Sequence, residues 1–433
     1  MSRYRPGRII GSAVGALVIL AVGVYGPATL LGPLPAASAT LDTPAPGPAS
    51  ASPPVLPAAG GSAVIGLTTL TPDPTAPTTV TLKAGDLGEH VPLAVGGTRD
   101  ALPMAAATKI VTALVVLAEK PLPAGDAGPK IPISAADYQD YISYGSTGAR
   151  TVVVFPGEEW TETELLQAMV LGSSNNHADT LARWAFGSID AYVAAANAWL
   201  GTQGLTGTVV ADATGLSEKS AGTATDLARL AGLAASDPVI AGILAQPASA
   251  LVGQRGVDNT TAFLADEGVT GISRSYTDAA GICFLFTAQV RTGASVFTFA
   301  GAVIGEPDYD ALTADVTALM ESARSGVTEL PVLALGDAYA RFSTPWGATS
   351  SATVRTAKTR FGWQAVAPGV ADVKLDSIST GRAGRTIGRV SVEAGGESVS
   401  SPLVLDRTIP APGLGWRLLH PVAMITALLD ANK

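Results

Sequence analysis

Cysteine is almost absent from this chain of 433 residues: Cys283 stands alone, which excludes an internal disulfide. Flanked by Ile282 and Phe284, it reads as a buried thiol in a strand. Histidine is nearly as scarce. His90, His177 and His420 are scattered with no paired ligand spacing, so the sequence offers no metal site and implies no cofactor. Basic residues are outnumbered, 27 against 36 acidic ones, for a net charge of -9, and no basic stripe appears. That argues against nucleic acid as a partner.

Charge of either sign is missing altogether from residues 9–41, which follow Arg3, Arg5 and Arg8. A basic start, an apolar run and the small residues Ala37-Ser38-Ala39 have the form of an export signal. The run is long enough to span a bilayer, and the arginines keep its start on the cytoplasmic side. The expectation is an extracytoplasmic protein, with residues 1–39 as a signal peptide or a membrane anchor. Residues 40–62, mostly Pro, Ala, Ser and Gly without periodicity, are expected to be a disordered tether.

What the chain does contain is a strongly apolar stretch after Pro103. It has no Gly or Pro between Ala105 and Lys120, and Ile110, Leu114 and Leu117 recur at helical spacing. This predicts a buried central helix, with Lys109 as its exception. A lysine in the first turn either reaches to water or is buried with its pKa lowered, the condition a general base needs.

Around that helix, residues 63–67, 79–83 and 91–95 read as strands, and 121–160 as loop with a β-branched run at 151–155. Thr161 and Glu164 have capping-box spacing and open a helix that ends near Gly172. A polar turn at Ser173-Ser174-Asn175-Asn176 leads into helices at 177–186 and 190–200, and Thr223 caps another through Leu233. Residues 272–277, 282–289 and 296–304 read as antiparallel strands, and 311–320 as an amphipathic helix. The predicted fold class is α/β (α+β), an antiparallel sheet flanked by helices over residues 63–325. Residues 326–410 alternate as a small all-β domain with hairpins, to which no chemistry is assigned, and the tail 411–433 carries a surface-docked helix at 421–429.

Three stretches together resemble a family. Pro103-Met104-Ala105-Ala106-Ala107-Thr108-Lys109 looks like the first motif of the serine D-Ala-D-Ala carboxypeptidases, low-molecular-mass members of the penicillin-binding, β-lactamase-like superfamily. That motif is Ser-x-x-Lys, nucleophile and base one turn apart on one helix face. Ser173-Ser174-Asn175 resembles the second motif, Ser-x-Asn, which relays a proton and holds the substrate amide. Leu165-Leu166 before it and Asn176-His177-Ala178-Asp179 after it strengthen the likeness. The stretch 268–277 aligns with the third motif, Lys-Thr-Gly, because Ala280-Gly281-Ile282-Cys283 follows it as in the family. The resemblance makes Lys109, Ser173 and Asn175 catalytic candidates, and Ser273, Arg274, Ser275 and Tyr276 the substrate-binding wall.

Two of the three motifs are broken. Ala106 occupies the nucleophile position, and Ser273-Arg274-Ser275 stands where Lys-Thr-Gly is expected. No serine lies between Ser62 and Ser134, no serine has a lysine three residues later, and Lys-Thr-Gly occurs nowhere. Losing a serine hydrolase nucleophile costs about a millionfold in turnover. Arg274 restores the charge only from a neighbouring strand position, and strand neighbours face opposite ways. The expected protein is therefore an inactive or impaired carboxypeptidase relative, acting by binding peptidoglycan stem peptide or a cell-wall synthesis protein. Two rivals are an active carboxypeptidase in which Ser173 is deprotonated by Lys109, and a purely structural scaffold.

Overall fold

An apolar stretch of good helix formers, lacking Gly and Pro, has one favourable outcome once it is surrounded by protein. In the computed structural model, Ala105–Ala107 form a single 3-10 turn and Thr108–Glu119 follow as helix α1, in which every residue from Thr108 to Leu117 is buried. The structure describes residues 15, 20–42, 54–58, 60–67, 92–247, 249–252, 255–293, 295–363, 370–394 and 397–431. The expected strand at 79–83 and His90 lie outside them.

Two units divide the chain, the larger comprising Ala49–Glu329 with Phe361–Ala365. Its sheet contains β1 (Gly61–Leu67), β2 (Ala94–Gly97), β3 (Val269–Thr277), β4 (Gly281–Thr292) and β5 (Ser295–Glu306). All neighbours are antiparallel, in the order β3-β4-β5-β1-β2. Both faces are covered, so β4 is buried on alternate sides rather than alternating with polar residues. Cys283 and Leu285 belong to the core shared with α1; Phe284 and Phe286 belong to the opposite core, under helix Tyr309–Gly326. Burial of a Phe side chain contributes roughly 1.5–3 kcal/mol, and Phe284 and Phe286 add a stacked contact at 5.0 Å. Gly301 is required beneath them: a Cβ there would sit 2.3 Å from the Phe286 ring.

Four further helices place the site: α2 (Ala135–Ser146), α3 (Glu162–Val170), α4 (Asn175–Phe186) and α5 (Ile189–Thr202). The capping box at Thr161 and Glu164 forms as its spacing predicts. Helix α2 corrects the reading of 121–160 as loop. It is opened by a capping box with Asp137 in place of Glu, and its tyrosines, not aliphatic residues, supply the packing face, so no apolar periodicity announced it. The β-branched run at 151–155 forms no strand. The Val152 N–H instead donates to Ser174 Oγ at 3.1 Å, strapping this segment to the polar turn before α4.

The smaller unit comprises Met1–Pro48, Leu330–Arg360 and Val366–Lys433. Its six-stranded antiparallel sheet runs Ser38–Leu41, Ala338–Ser343, Thr349–Val354, Glu397–Leu405, Thr386–Ala394, Asp372–Leu375. Phe342, Ile387, Val390, Leu403 and Leu405 fill its core. The strand at Ser38–Leu41 departs from the expected boundary between leader and tether at residue 39. It pairs in register with Ala338–Ser343, and the flanking Ala37 and Asp42 N–H groups donate to Ile378 and Tyr339 carbonyls at 2.7 and 2.9 Å. A sheet edge accepts any segment whose backbone groups are free to pair, whatever its side-chain periodicity. The other end of the expected tether is structured too: Pro54 and Pro57 are buried and Gly61 begins β1. Residues 43–53 lie outside the described residues. The tail helix is present as Pro421–Asp430 and packs with Leu414–Leu419 against Gly26–Leu31.

Candidate active site

Position 106 lies in the 3-10 turn that opens α1. Its predecessor, Ala105, has φ +45, a left-handed conformation that costs a residue with a Cβ of order 1–3 kcal/mol and clusters at functional sites. The turn is held from below by a close backbone approach. Gly215 has φ +80, and a Cβ there would lie 1.8 Å from the Ala105 carbonyl oxygen.

One turn further, Lys109 is 4% exposed and its Nζ donates to the Thr214 carbonyl at 2.8 Å. On the same helix face, Thr112 Oγ1 donates to the Ala213 carbonyl at 2.8 Å. The 212–217 loop that supplies these acceptors is organised by Asp212, whose Oδ2 accepts from Thr214 Oγ1 and from the Gly215, Leu216 and Ser217 N–H groups. Burial lowers the Lys109 pKa to about 7; the Asp212 and Asp179 carboxylates oppose that effect, and the Arg150 guanidinium adds to it. Asp179 is itself pushed up to about 6 by burial, against the pull of a 2.6 Å hydrogen bond from Tyr144.

The Ser-x-Asn turn faces this helix start. Ser173 has φ +52, and the buried Asn175 donates its backbone N–H to the Arg150 carbonyl at 2.9 Å. The Asn175 Oδ1 is buried without a protein hydrogen-bond partner. Ser174 and His177 serve the scaffold rather than the cleft: their side chains meet at 2.8 Å, and burial drives the imidazole down to about 3, so it stays neutral.

The third wall is strand β3, whose register with β4 shifts between Gly271 and Ser273. Ser275 Oγ accepts a hydrogen bond from the Ala106 N–H at 3.1 Å. Arg274 is committed elsewhere. Its Nε donates to the Thr260 carbonyl at 3.2 Å, and its guanidinium lies over the Phe263 and Tyr309 rings at 5.1 and 5.3 Å. Tyr276 is exposed and donates to Asp278 at 3.0 Å.

These walls enclose a cavity of about 290 Å³. Ala106, Lys109, Ser173, Asn175, Ser275 and Tyr276 all line it; Ser273 and Arg274 do not. Leu216, in the stretch 212–227 that also resembles the family, lines it as well, as do Arg150 and Tyr309, to which no motif pointed. A larger cavity of about 410 Å³, lined by helix Pro238–Leu244 and the near end of β3, has no titratable residue in its wall. Lys109 and Arg150 line the smaller one.

The D-alanyl-D-alanine carboxypeptidase family matches residues 93–299 of the chain. This stretch is similar to that family. D-alanyl-D-alanine carboxypeptidase DacB2 of Mycobacterium tuberculosis is 31% identical over 190 residues, 42% of this chain and 61% of the relative. The chain thus spans less than two thirds of that curated protein. Penicillin binding protein 6B from Escherichia coli superposes with a TM-score of 0.57 at 16% identity, over 82% of this chain and 98% of that one. Penicillin binding protein 5 from Haemophilus influenzae gives 0.55 at 15%, over 83% and 99%. The carboxypeptidase-like fold is shared with both. Within it, position 106, three residues before Lys109 at the helix start, carries a methyl, and strand β3 turns the Ser275 hydroxyl onto that helix start.

Proposed function

We propose that this chain is an exported, membrane-held member of the carboxypeptidase family that binds cell-wall peptide in its cleft without hydrolysing it. One observation carries the reading: Lys109, Ser173 and Asn175 converge on one cavity whose nucleophile position is the Ala106 methyl. With a buried amine at about 7 the cleft keeps a base, but position 106, one helical turn before it, offers that base no hydroxyl to activate. Asn175 lines the cavity, and its side-chain amide, whose Oδ1 has no protein donor, is of the kind that pairs with a peptide group. Export and membrane attachment are supported by the charge-free run at 9–41 after three arginines.

Equilibrium binding of a peptide ending in D-Ala-D-Ala, run alongside labelling by a fluorescent penicillin, tests the reading. Reversible peptide binding with no covalent label is expected. Labelling of the parent protein would make it an acylating enzyme, and absence of peptide binding would remove the cleft as its working surface.

A further inference from the structure

A ligand with a free carboxylate needs a cation, and the family strand position that would supply one holds Ser273, which does not line the cavity. Arg274 is held against Thr260, Phe263 and Tyr309. Among the described residues, two basic side chains line the cleft, the buried Lys109 and the exposed Arg150. None of the ion pairs among the described residues involves Arg150. Its position is nonetheless fixed, because its carbonyl accepts the Asn175 N–H at 2.9 Å and so ties its backbone to the Ser-x-Asn turn.

We propose that Arg150 is the residue with which this cleft recognises the free carboxylate of a peptide ligand, replacing the cation missing from β3. The inference rests on the peptide-binding reading above. Three side chains then line one cavity: Arg150, whose guanidinium can donate two hydrogen bonds to a carboxylate, Lys109 with its amine, and Asn175 with an amide that can pair with a peptide group. A carboxylate combined with an N–H donor is what the C-terminal residue of a peptide presents. The field of Arg150 also helps hold Lys109 near neutrality, so an anion between them relieves the repulsion and favours the protonated amine.

The experiment compares the full chain, in detergent, with an N-acetylated peptide ending in D-Ala-D-Ala as the free acid and as the C-terminal amide. The parent is expected to bind the acid about fivefold more tightly than the amide, the scale of one accessible ion pair. Arg150→Ala should bring the two affinities together, Arg150→Lys should keep part of the preference, and Arg274→Ala should keep all of it. At pH 8, calorimetry in buffers of different ionisation enthalpy should show proton uptake with the acid, reduced for the amide. If Arg150→Ala, folded by circular dichroism, still prefers the acid as the parent does, this assignment is overturned and peptide binding stands. If the parent binds neither peptide, both readings fall.

Discussion

Ala106 and Ser275 form a matched pair. The first removes the hydroxyl that would attack a carbonyl; the second turns its own hydroxyl onto the Ala106 N–H. A backbone N–H at that point is the kind of donor that stabilises a developing oxyanion, and one such donor is worth about a hundredfold in rate. Ala106→Ser alone is therefore expected to be labelled slowly by fluorescent penicillin, and Ala106→Ser with Ser275→Gly roughly a hundredfold faster. Equal rates would mean that Ser275 does not obstruct the site. Lys109 gives a second prediction, from pH. Its pKa is about 7 folded, against roughly 10.4 unfolded, so between these values the unfolded chain holds more protons and stability rises with pH. The burial penalty is full below pH 7 and fades towards pH 10. The melting temperature of Lys109→Met minus that of the parent should accordingly fall by roughly 5–10 °C between pH 6 and pH 10. A difference that does not change with pH would place the amine in water. The sequence disclosed Ala106, Lys109, Ser173 and Asn175 because each sits in a local motif. Arg150 was hidden because a loop residue reaches a cleft by tertiary placement, and the Ser275 contact was hidden because it joins residues 169 positions apart.

At the scale of elements, legibility followed periodicity. Helix α1 and strands β3, β4 and β5 were visible because long apolar runs or alternation set their type, and the ends moved only by a few residues. Helix α2 was missed because Tyr138, Tyr141 and Tyr144 stand where aliphatic residues usually mark a face. The strand at Ser38–Leu41 was missed for a different reason. Its side chains are exposed, so its place is fixed by backbone pairing, which leaves no trace in composition. Processing after Ala39 would cut it at its centre. A protein starting at Leu34 is expected to keep the edge, whereas one starting at Thr43 should lose roughly 1–3 kcal/mol from the smaller unit. Hydrogen exchange across Ala338–Ser343 is the measurement, and unchanged protection in the shorter protein would show that the strand contributes nothing.

For the whole molecule, a net charge of -9 surrounds a cleft whose lining includes Arg150 and a lysine with a pKa of about 7. An acidic surface disfavours anionic ligands at long range, so attraction to Arg150 operates only within about a Debye length, near 8 Å in physiological salt. Raising the ionic strength should then weaken the acid-over-amide preference and leave amide binding unaffected; a salt-independent preference would point to recognition without charge.

The smaller unit is assembled from the two ends of the chain, with the larger unit threaded between them. Synthesis is directional, so Ser38–Leu41 is made before its partner and waits through some three hundred residues for Ala338–Ser343. Closing so long a loop in a disordered chain costs about 5 kcal/mol of entropy, more than the roughly 1–3 kcal/mol the edge returns. Prior folding of the larger unit shortens the free path to the segments on either side of it. Loosening that unit should therefore fray a strand to which it contributes no residue, and the edge of the β unit becomes a kinetic witness to whether the carboxypeptidase fold has formed.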